Sequence, residues 1–179
     1  MAHFNHPREL TPEALRAVAA LQKAGVAVVN QSPILRQVND SVPVLAELLD
    51  RLSWAGVTPY YFFQNRPVAG NAAFVVSLVE AYVLVEGAKA RTSGLGKRGR
   101  FGMSHATGKI EVLAVADGKI YLKYHQARNP ADCGRFMVYD LPPGAAWFDD
   151  LLPAPGVRPA PGEIGPEAGA EAPRGEKSR

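Results

Sequence analysis

Residues 40–63 read DSVPVLAELLDRLSWAGVTPYYFF, and this stretch decides the fold class. Asp40 or Ser41 offers a side-chain oxygen to the free amides of a helix start. Val44, Leu45, Leu48, Leu49 and Leu52 then recur at helical spacing and define an inner face. Gly56 stops the helix. Val57 to Phe63 follows as a strand rich in aromatic and β-branched residues. The same alternation extends both ways. Upstream, Thr11-Pro12-Glu13 combines a hydroxyl cap, a proline suited to a first helical turn and an acid near the positive end of the helix dipole. Leu15, Val18 and Leu21 continue at helical spacing to a stop at Gly25. Val26-Ala27-Val28-Val29 predicts a buried parallel strand, and Ala2 to Asn5 a short strand before it. Downstream, Ala73 to Gly87 predicts a third helix. Strand and helix alternating with short connections imply a parallel sheet with helices packed against it.

After Ala88 the pattern changes. Lys109 to Ala116 and Lys119 to Tyr124 flank Asp117-Gly118, a strong hairpin signal, and Phe136 to Tyr139 can add a further strand. From Pro153 to Arg179 there are six prolines, five glycines and no aromatic residue, and four basic residues balance four acidic ones. Such a segment buries too little apolar surface to offset its ordering entropy, so a disordered tail is expected. The expected organisation is βα units over residues 1–88, a β extension over 89–150 and the tail over 151–179.

The composition narrows the function classes. The chain has 179 residues, 47% of them hydrophobic, enough for one domain with a core. A formal charge of +3 is too small to argue for nucleic acid. One cysteine excludes a disulfide framework and any all-cysteine metal site built from this chain alone. The first residues hold no apolar run of signal-peptide length, and the greasiest stretch, residues 71–87, is interrupted by Ser77, Glu80 and Glu86. A cytoplasmic protein without a membrane partner is expected.

Seven short pieces carry a family resemblance: His3-Phe4-Asn5-His6-Pro7, Asn30-Gln31, Leu35-Arg36, Val38-Asn39-Asp40, Pro59-Tyr60-Tyr61, Thr92-Ser93-Gly94 and Gly108-Lys109-Ile110. In this order and spacing the chain resembles, over roughly residues 2–124, the C-terminal half of lysine 2,3-aminomutase and its relatives, radical S-adenosylmethionine enzymes that also use pyridoxal phosphate. The resemblance implies an α/β fold containing the C-terminal half of a partial (β/α) barrel, followed by a short antiparallel β meander and the tail. It also implies a four-iron, four-sulfur cluster held by a Cys-x-x-x-Cys-x-x-Cys loop. This sequence has no such loop, and Cys133 cannot replace three thiolates. The expected partner is therefore a missing N-terminal half or a separate chain supplying it. Homo-oligomers are a further expectation.

Residue by residue, Lys109 matches the lysine that forms a Schiff base with pyridoxal phosphate, with Gly108 allowing close backbone passage beside the cofactor. His3 and Gln31 match positions that face S-adenosylmethionine at strand ends. Arg66 stands where the lysine enzymes carry an aspartate for a substrate amine, and a second such aspartate falls near Met103 or Ser104. A guanidinium in place of a carboxylate favours a carboxylate partner, so an acidic amino acid or another carboxylate is expected as substrate rather than lysine. The altered run from Gly102 to Gly108 leaves room for a relative that works without pyridoxal phosphate, with His105 as a candidate proton carrier.

Blander readings stand beside these. Lys109 can be an exposed lysine opening a strand, and Arg66 a solvated loop residue. His3 can be a surface residue or pair with His6 on a metal. Lys89, Arg91, Lys97, Arg98 and Arg100 can form a solvated loop or a phosphate grip. The expected function is amino-group migration on an amino acid, initiated in the complete enzyme by a 5′-deoxyadenosyl radical, with this chain inactive alone. The alternatives are a pyridoxal-independent enzyme of the same family and a non-catalytic binding module.

Overall fold

A computed structural model describes residues 1–154. Helix α1 (Pro12–Lys23) starts where the Thr11 hydroxyl accepts the Ala14 amide at 3.2 Å. Helix α2 (Val42–Trp54) starts at Ser41, whose hydroxyl accepts the Val44 amide. Helix α3 (Leu78–Ala90) starts at Ser77, later than the expected Ala73, because the Ser77 hydroxyl is the first oxygen placed to cap it. Residues 72–74 form a separate short turn.

The strands are β1 (Val29–Ile34), β2 (Thr58–Gln64), β3 (Arg100–His105), β4 (Gly108–Ala116), β5 (Lys119–Ala127), β6 (Phe136–Asp140) and β7 (Leu152–Pro153). They form one open mixed sheet in chain order. The pairs β1–β2 and β2–β3 are parallel, and the rest are antiparallel. The α/β class is as expected, as is the β4–β5 hairpin. Its turn places Asp117 at φ 51° and Gly118 at φ 70°, a geometry that follows the twist of the strands.

Three expectations fail for identifiable reasons. The strand expected at Val26–Val29 lies at Val29–Ile34 instead, because Val26 is spent on the helix end, donating its amide to the Leu21 carbonyl. The strand expected at Ala2–Asn5 reduces to one parallel bridge between Ala2 and Asn30. Beyond that bridge the Asn30 side chain replaces a strand backbone. Its Oδ1 accepts the Phe4 amide at 2.7 Å, and its Nδ2 donates to the Phe4 carbonyl at 3.0 Å. Finally, no strand is expected between Ala88 and Lys109, yet Arg100–His105 forms β3. It is a parallel strand beside β2, with α3 as the crossover.

All three helices pack on one face of the sheet. Leu45, Leu49, Val85 and Ala88 meet Ile34, Phe62, Phe101, Met103, Ile110 and Leu122 in one core that runs through residues 1–88 and 89–150 alike. Val18 of α1 joins Leu48, Leu52 and Val28 in a smaller cluster. Leu151 and Ala154 are buried, so the first residues of the expected tail pack against the fold. The rest of the tail, from residue 155, lies outside the described residues. Among the described residues, no helix is long and apolar enough to cross a membrane.

Two glycines pin the antiparallel register. A Cβ on Gly102 would sit 2.4 Å from the Ile110 carbonyl oxygen, and one on Gly108, at φ +146°, would sit 2.1 Å from that of Gln126. Gly108 is therefore required by strand pairing. Gly108→Ala is expected to destabilise the chain by about 2–3 kcal/mol. Gly94→Ala, with nothing within 4 Å of its Cβ, should stay within about 0.5 kcal/mol. Urea unfolding of the two variants checks both values.

Candidate functional site

Side chains alternate across a sheet, so the residues between those of the core point away from the helices. On β2 these are Tyr61 and Phe63, between the core residue Phe62 and Gln64. Register carries the alternation onward: Tyr61 pairs with Gln31 on β1 and with Arg100 on β3, Gly102 with Glu111, and Ser104 with Lys109. One face thus collects Gln31, Tyr61, Phe63, Arg100, Lys109 and Glu111. His125 of β5 joins them at a register shift, its ring centroid 5.7 Å from that of Tyr61.

The floor of this site is aromatic. The rings of Tyr61 and Phe63 stack with centroids 4.8 Å apart. Lys109 Nζ lies over both, 5.4 Å from the Tyr61 centroid and 5.9 Å from that of Phe63. The ring faces attract the ammonium electrostatically. Lys109 is half-buried and has no ion pair to a carboxylate among the described residues. The bland reading of an exposed lysine therefore does not describe it.

Arg100 organises the neighbouring groups. Its Nη1 lies 2.9 Å from His125 Nδ1 and 3.1 Å from Nε2, and its Nε lies 3.7 Å from Glu111 Oε1. A guanidinium only donates, so His125 must present an unprotonated nitrogen to it. Burial first, and then the Arg100 charge, hold the His125 pKa below its ordinary value, while Glu111 pulls the other way. Tyr61 is 3% exposed, and its buried hydroxyl lies against the Arg100 guanidinium. Burial raises its pKa, and the Arg100 guanidinium beside it opposes the rise.

The other candidates are distributed as follows. His3 and Gln31 meet, Nε2 to Nε2 at 3.3 Å, with His3 exposed. Arg66 is exposed in the loop after β2. Asn71 braces that loop by donating to the Arg66 carbonyl at 2.7 Å and accepting the Val68 amide at 3.1 Å. His6 does not pair with His3: its Nδ1 caps a short turn by accepting the Arg8 amide at 3.1 Å. No group of three or more potential metal ligands occurs among the described residues. His105 lies apart from Lys109. It alternates with Ser104 onto the helix-bearing face, 3.2 Å from Asp149 and beside the Phe148 ring. The basic cluster disperses: Lys89 pairs with Glu86 at 2.7 Å, Lys97 and Arg98 are exposed, and Arg100 belongs to the site.

Sequence reading missed Glu111 and His125 as members of the site and placed Arg100 only in a basic cluster. The available signal was the alternation Arg100-Phe101-Gly102-Met103 and Lys109-Ile110-Glu111-Val112, in which each polar or glycine residue faces opposite to an apolar one.

A half-buried primary amine on an aromatic floor, flanked by a guanidinium and a neutral imidazole, suits an enzyme surface that handles small amino or carbonyl compounds. No family model matches the chain. It is 51% identical, over 150 residues, to a protein of Aquifex aeolicus (strain VF5) named "Putative L-lysine 2,3-aminomutase"; the match covers 84% of this chain and 40% of that protein. It is 42% identical over 92 residues to the L-lysine 2,3-aminomutase of Clostridium subterminale, covering 51% of this chain and 22% of that enzyme. It is 37% identical over 93 residues to the glutamate 2,3-aminomutase of Clostridioides difficile, covering 52% of this chain and 22% of that enzyme. Over most of its length the chain is similar to proteins named as lysine 2,3-aminomutases. It spans less than half the length of these relatives.

The depressed His125 pKa has a stability consequence. Below about pH 6.5 an unfolded histidine binds a proton that His125 in the fold resists, so the unfolded state gains protons first. Stability is expected to fall as pH drops through that range and to be fully present above it. His125→Gln should flatten the dependence. Urea midpoints between about pH 5 and pH 8 check this, together with an imidazole NMR titration of His125.

Proposed function

We propose that this chain supplies the substrate-facing, C-terminal part of a radical aminomutase, with Lys109 as its reactive amine. The observation that carries this reading is the Lys109 ammonium held over two stacked rings without a carboxylate partner. The aminomutase relatives support it. In the complete enzyme, amino-group migration would be initiated by a 5′-deoxyadenosyl radical, and the parallel strands of this chain would form an arc of a partial barrel.

The implied groups fit this chain unequally. Pyridoxal phosphate fits in chemical kind: Lys109 offers the amine and Tyr61 and Phe63 a floor for a flat ring. When bound, the group would delocalise an unpaired electron next to the lysine. Lys109 would tether it, the rings would exclude water from beneath it, and Arg100 would hold His125 neutral beside it. S-adenosylmethionine would meet His3 and Gln31, which the fold already joins at 3.3 Å. The iron–sulfur cluster does not fit, because the sequence holds a single cysteine. An N-terminal half or a separate chain would supply it, and this chain alone would be inactive. Arg66, on a braced loop at the strand end, favours a substrate carboxylate over a second ammonium.

A second reading has its own support. Gly102 and Gly108 are required by strand pairing, so the glycine run need not signal a cofactor. That favours an enzyme of the same family that works without pyridoxal phosphate. Incubation with pyridoxal phosphate, borohydride reduction and peptide mapping separates the two. Label on Lys109 in preference to Lys119 and Lys123, and lost in Lys109→Arg, is the expected result. Label spread evenly over the lysines establishes the second reading.

A further inference from the structure

The Thr92-Ser93-Gly94 piece takes no part in the Lys109 face, and its surroundings form a second surface. Thr92 is buried, and its hydroxyl donates to the Asp50 carboxylate of α2. Gly96 leaves no room for a Cβ beside the Thr92 side chain, so the loop from Arg91 to Arg98 is seated firmly on α2. Trp54 lies one helical turn beyond Asp50, on the side of α2 that faces this loop. Its indole is 87% exposed, and Leu95 on the loop is 54% exposed. Tryptophan is seldom left so open to water. Arg91, Lys97 and Arg98 are exposed beside them and have no carboxylate partner among the described residues. The nearby acids are engaged: Asp50 by Thr92, Glu47 by Arg51 and Glu86 by Lys89. Arg91 ends α3, where a cation offsets the helix dipole. Lys97 and Arg98 sit on a three-residue turn that has no such need.

We propose that Trp54, Leu95, Arg91, Lys97 and Arg98 form a docking surface for an acidic segment of a partner protein, one that lays an apolar side chain against the Trp54 indole. Tryptophan and arginine are the residue types on which protein interfaces concentrate their binding energy. Two apolar anchors among unpaired cations complement a segment that alternates carboxylates with apolar side chains. The surface carries one sign of charge, so two copies of this chain meeting through it would set cation against cation. A nucleic acid would use the cations and stack on a single indole, leaving Leu95 without a matching contact. The loop is already held by Thr92, so little ordering is needed on this side when the partner arrives. The surface lies at the N-terminal ends of β2 and β3, whereas Arg66 and the Ser104–Lys109 pair lie toward their C-terminal ends. The proposal therefore stands whichever reading of Lys109 holds.

The test is fluorescence anisotropy of a fluorescein-labelled peptide of repeated Glu-Glu-Leu-Leu, titrated with the full chain at low and at physiological salt. Saturable binding that weakens with salt is expected, because exposed cations supply part of the attraction. Versions with glutamine for glutamate, or serine for leucine, should bind at least about tenfold more weakly. Trp54→Ser should weaken the parent peptide about tenfold or more. Lys97→Glu combined with Arg98→Glu should weaken it by about the same factor and reduce the salt dependence. Arg128→Gln, an exposed charge change just beyond β5, should leave it unchanged. The peptide has no tryptophan and Trp147 is buried, so a shift of indole emission on binding reports Trp54. The substituted side chains are exposed, and circular dichroism confirms that each variant is folded. Absence of binding, undiminished binding in the Trp54 or the Lys97 and Arg98 variants, or no preference over the glutamine and serine peptides overturns the proposal. So does equally tight binding of poly(U) or of phosphatidylserine vesicles. Dimerisation in sedimentation that Trp54→Ser abolishes also overturns it, by making a second copy the occupant. Borohydride labelling of Lys109 is read separately, so failure here is distinguishable from failure of the proposed function.

Discussion

The site depends on strand register. In the antiparallel part of the sheet every polar residue of the site alternates with a core residue: Lys109 and Glu111 with Ile110 and Val112, and Arg100 with Phe101. A slip of one residue would drive Lys109 and Glu111 into the leucine-rich core and expose Ile110 and Val112. Two backbone approaches resist such a slip. Gly102 lies against the Ile110 carbonyl, and Gly108 against that of Gln126, at distances no side chain permits. The glycines thus act on chemistry indirectly. They touch no substrate, but they decide which face of the sheet carries the amine.

That face is organised differently from the core. On the helix side, Ile34, Leu45, Leu49, Met103 and Ile120 are nearly or fully buried, and burial alone stabilises them. On the other side the groups are mutually constrained. Burial and then the Arg100 charge lower the His125 pKa, the stacked rings hold Lys109, and the Tyr61 hydroxyl is buried against Arg100.

Much of the parallel half was legible in the sequence because its signals are local. A hydroxyl at Ser41, leucines at helical spacing and Gly56 at the stop mark α2 without reference to anything distant. The hairpin at Asp117-Gly118 is equally local. Errors arose where a distant partner decides. Asn30, Gln31 and Ser32 look like loop residues, yet they form a strand because the Asn30 side chain binds the backbone at Phe4, 26 residues away. The strand Arg100–His105 looks like a loop because Gly102 lowers its apparent strand propensity, while its place is set by pairing with β2 and β4. For the site, Lys109 was found through a family motif, but His125 and Glu111 belong to no motif. They enter only through register, so alternation along β3 and β4 was the signal to follow. His105 misled for the converse reason: closeness in sequence to Lys109 does not survive the alternation of a strand.

Relatives named for lysine and for glutamate differ in the charge at the far end of the substrate, and that difference is large on the scale of a protein site. An ammonium placed beside Arg100, with Lys109 and Lys123 on the same face, would gain little from Glu111, which already faces the guanidinium. The energetic contrast comes less from the attraction of the right ligand than from the unpaired charge the wrong one would impose, which is how polar sites commonly discriminate. Neutral His125 is consistent with this balance. A protonated imidazole would add a further cation beside Arg100, whereas the neutral ring fixes the guanidinium through a lone pair and leaves the face one charge less positive. The fold therefore tunes the face through the orientation of Arg100 as well as through the number of cations, and register is what supplies that orientation.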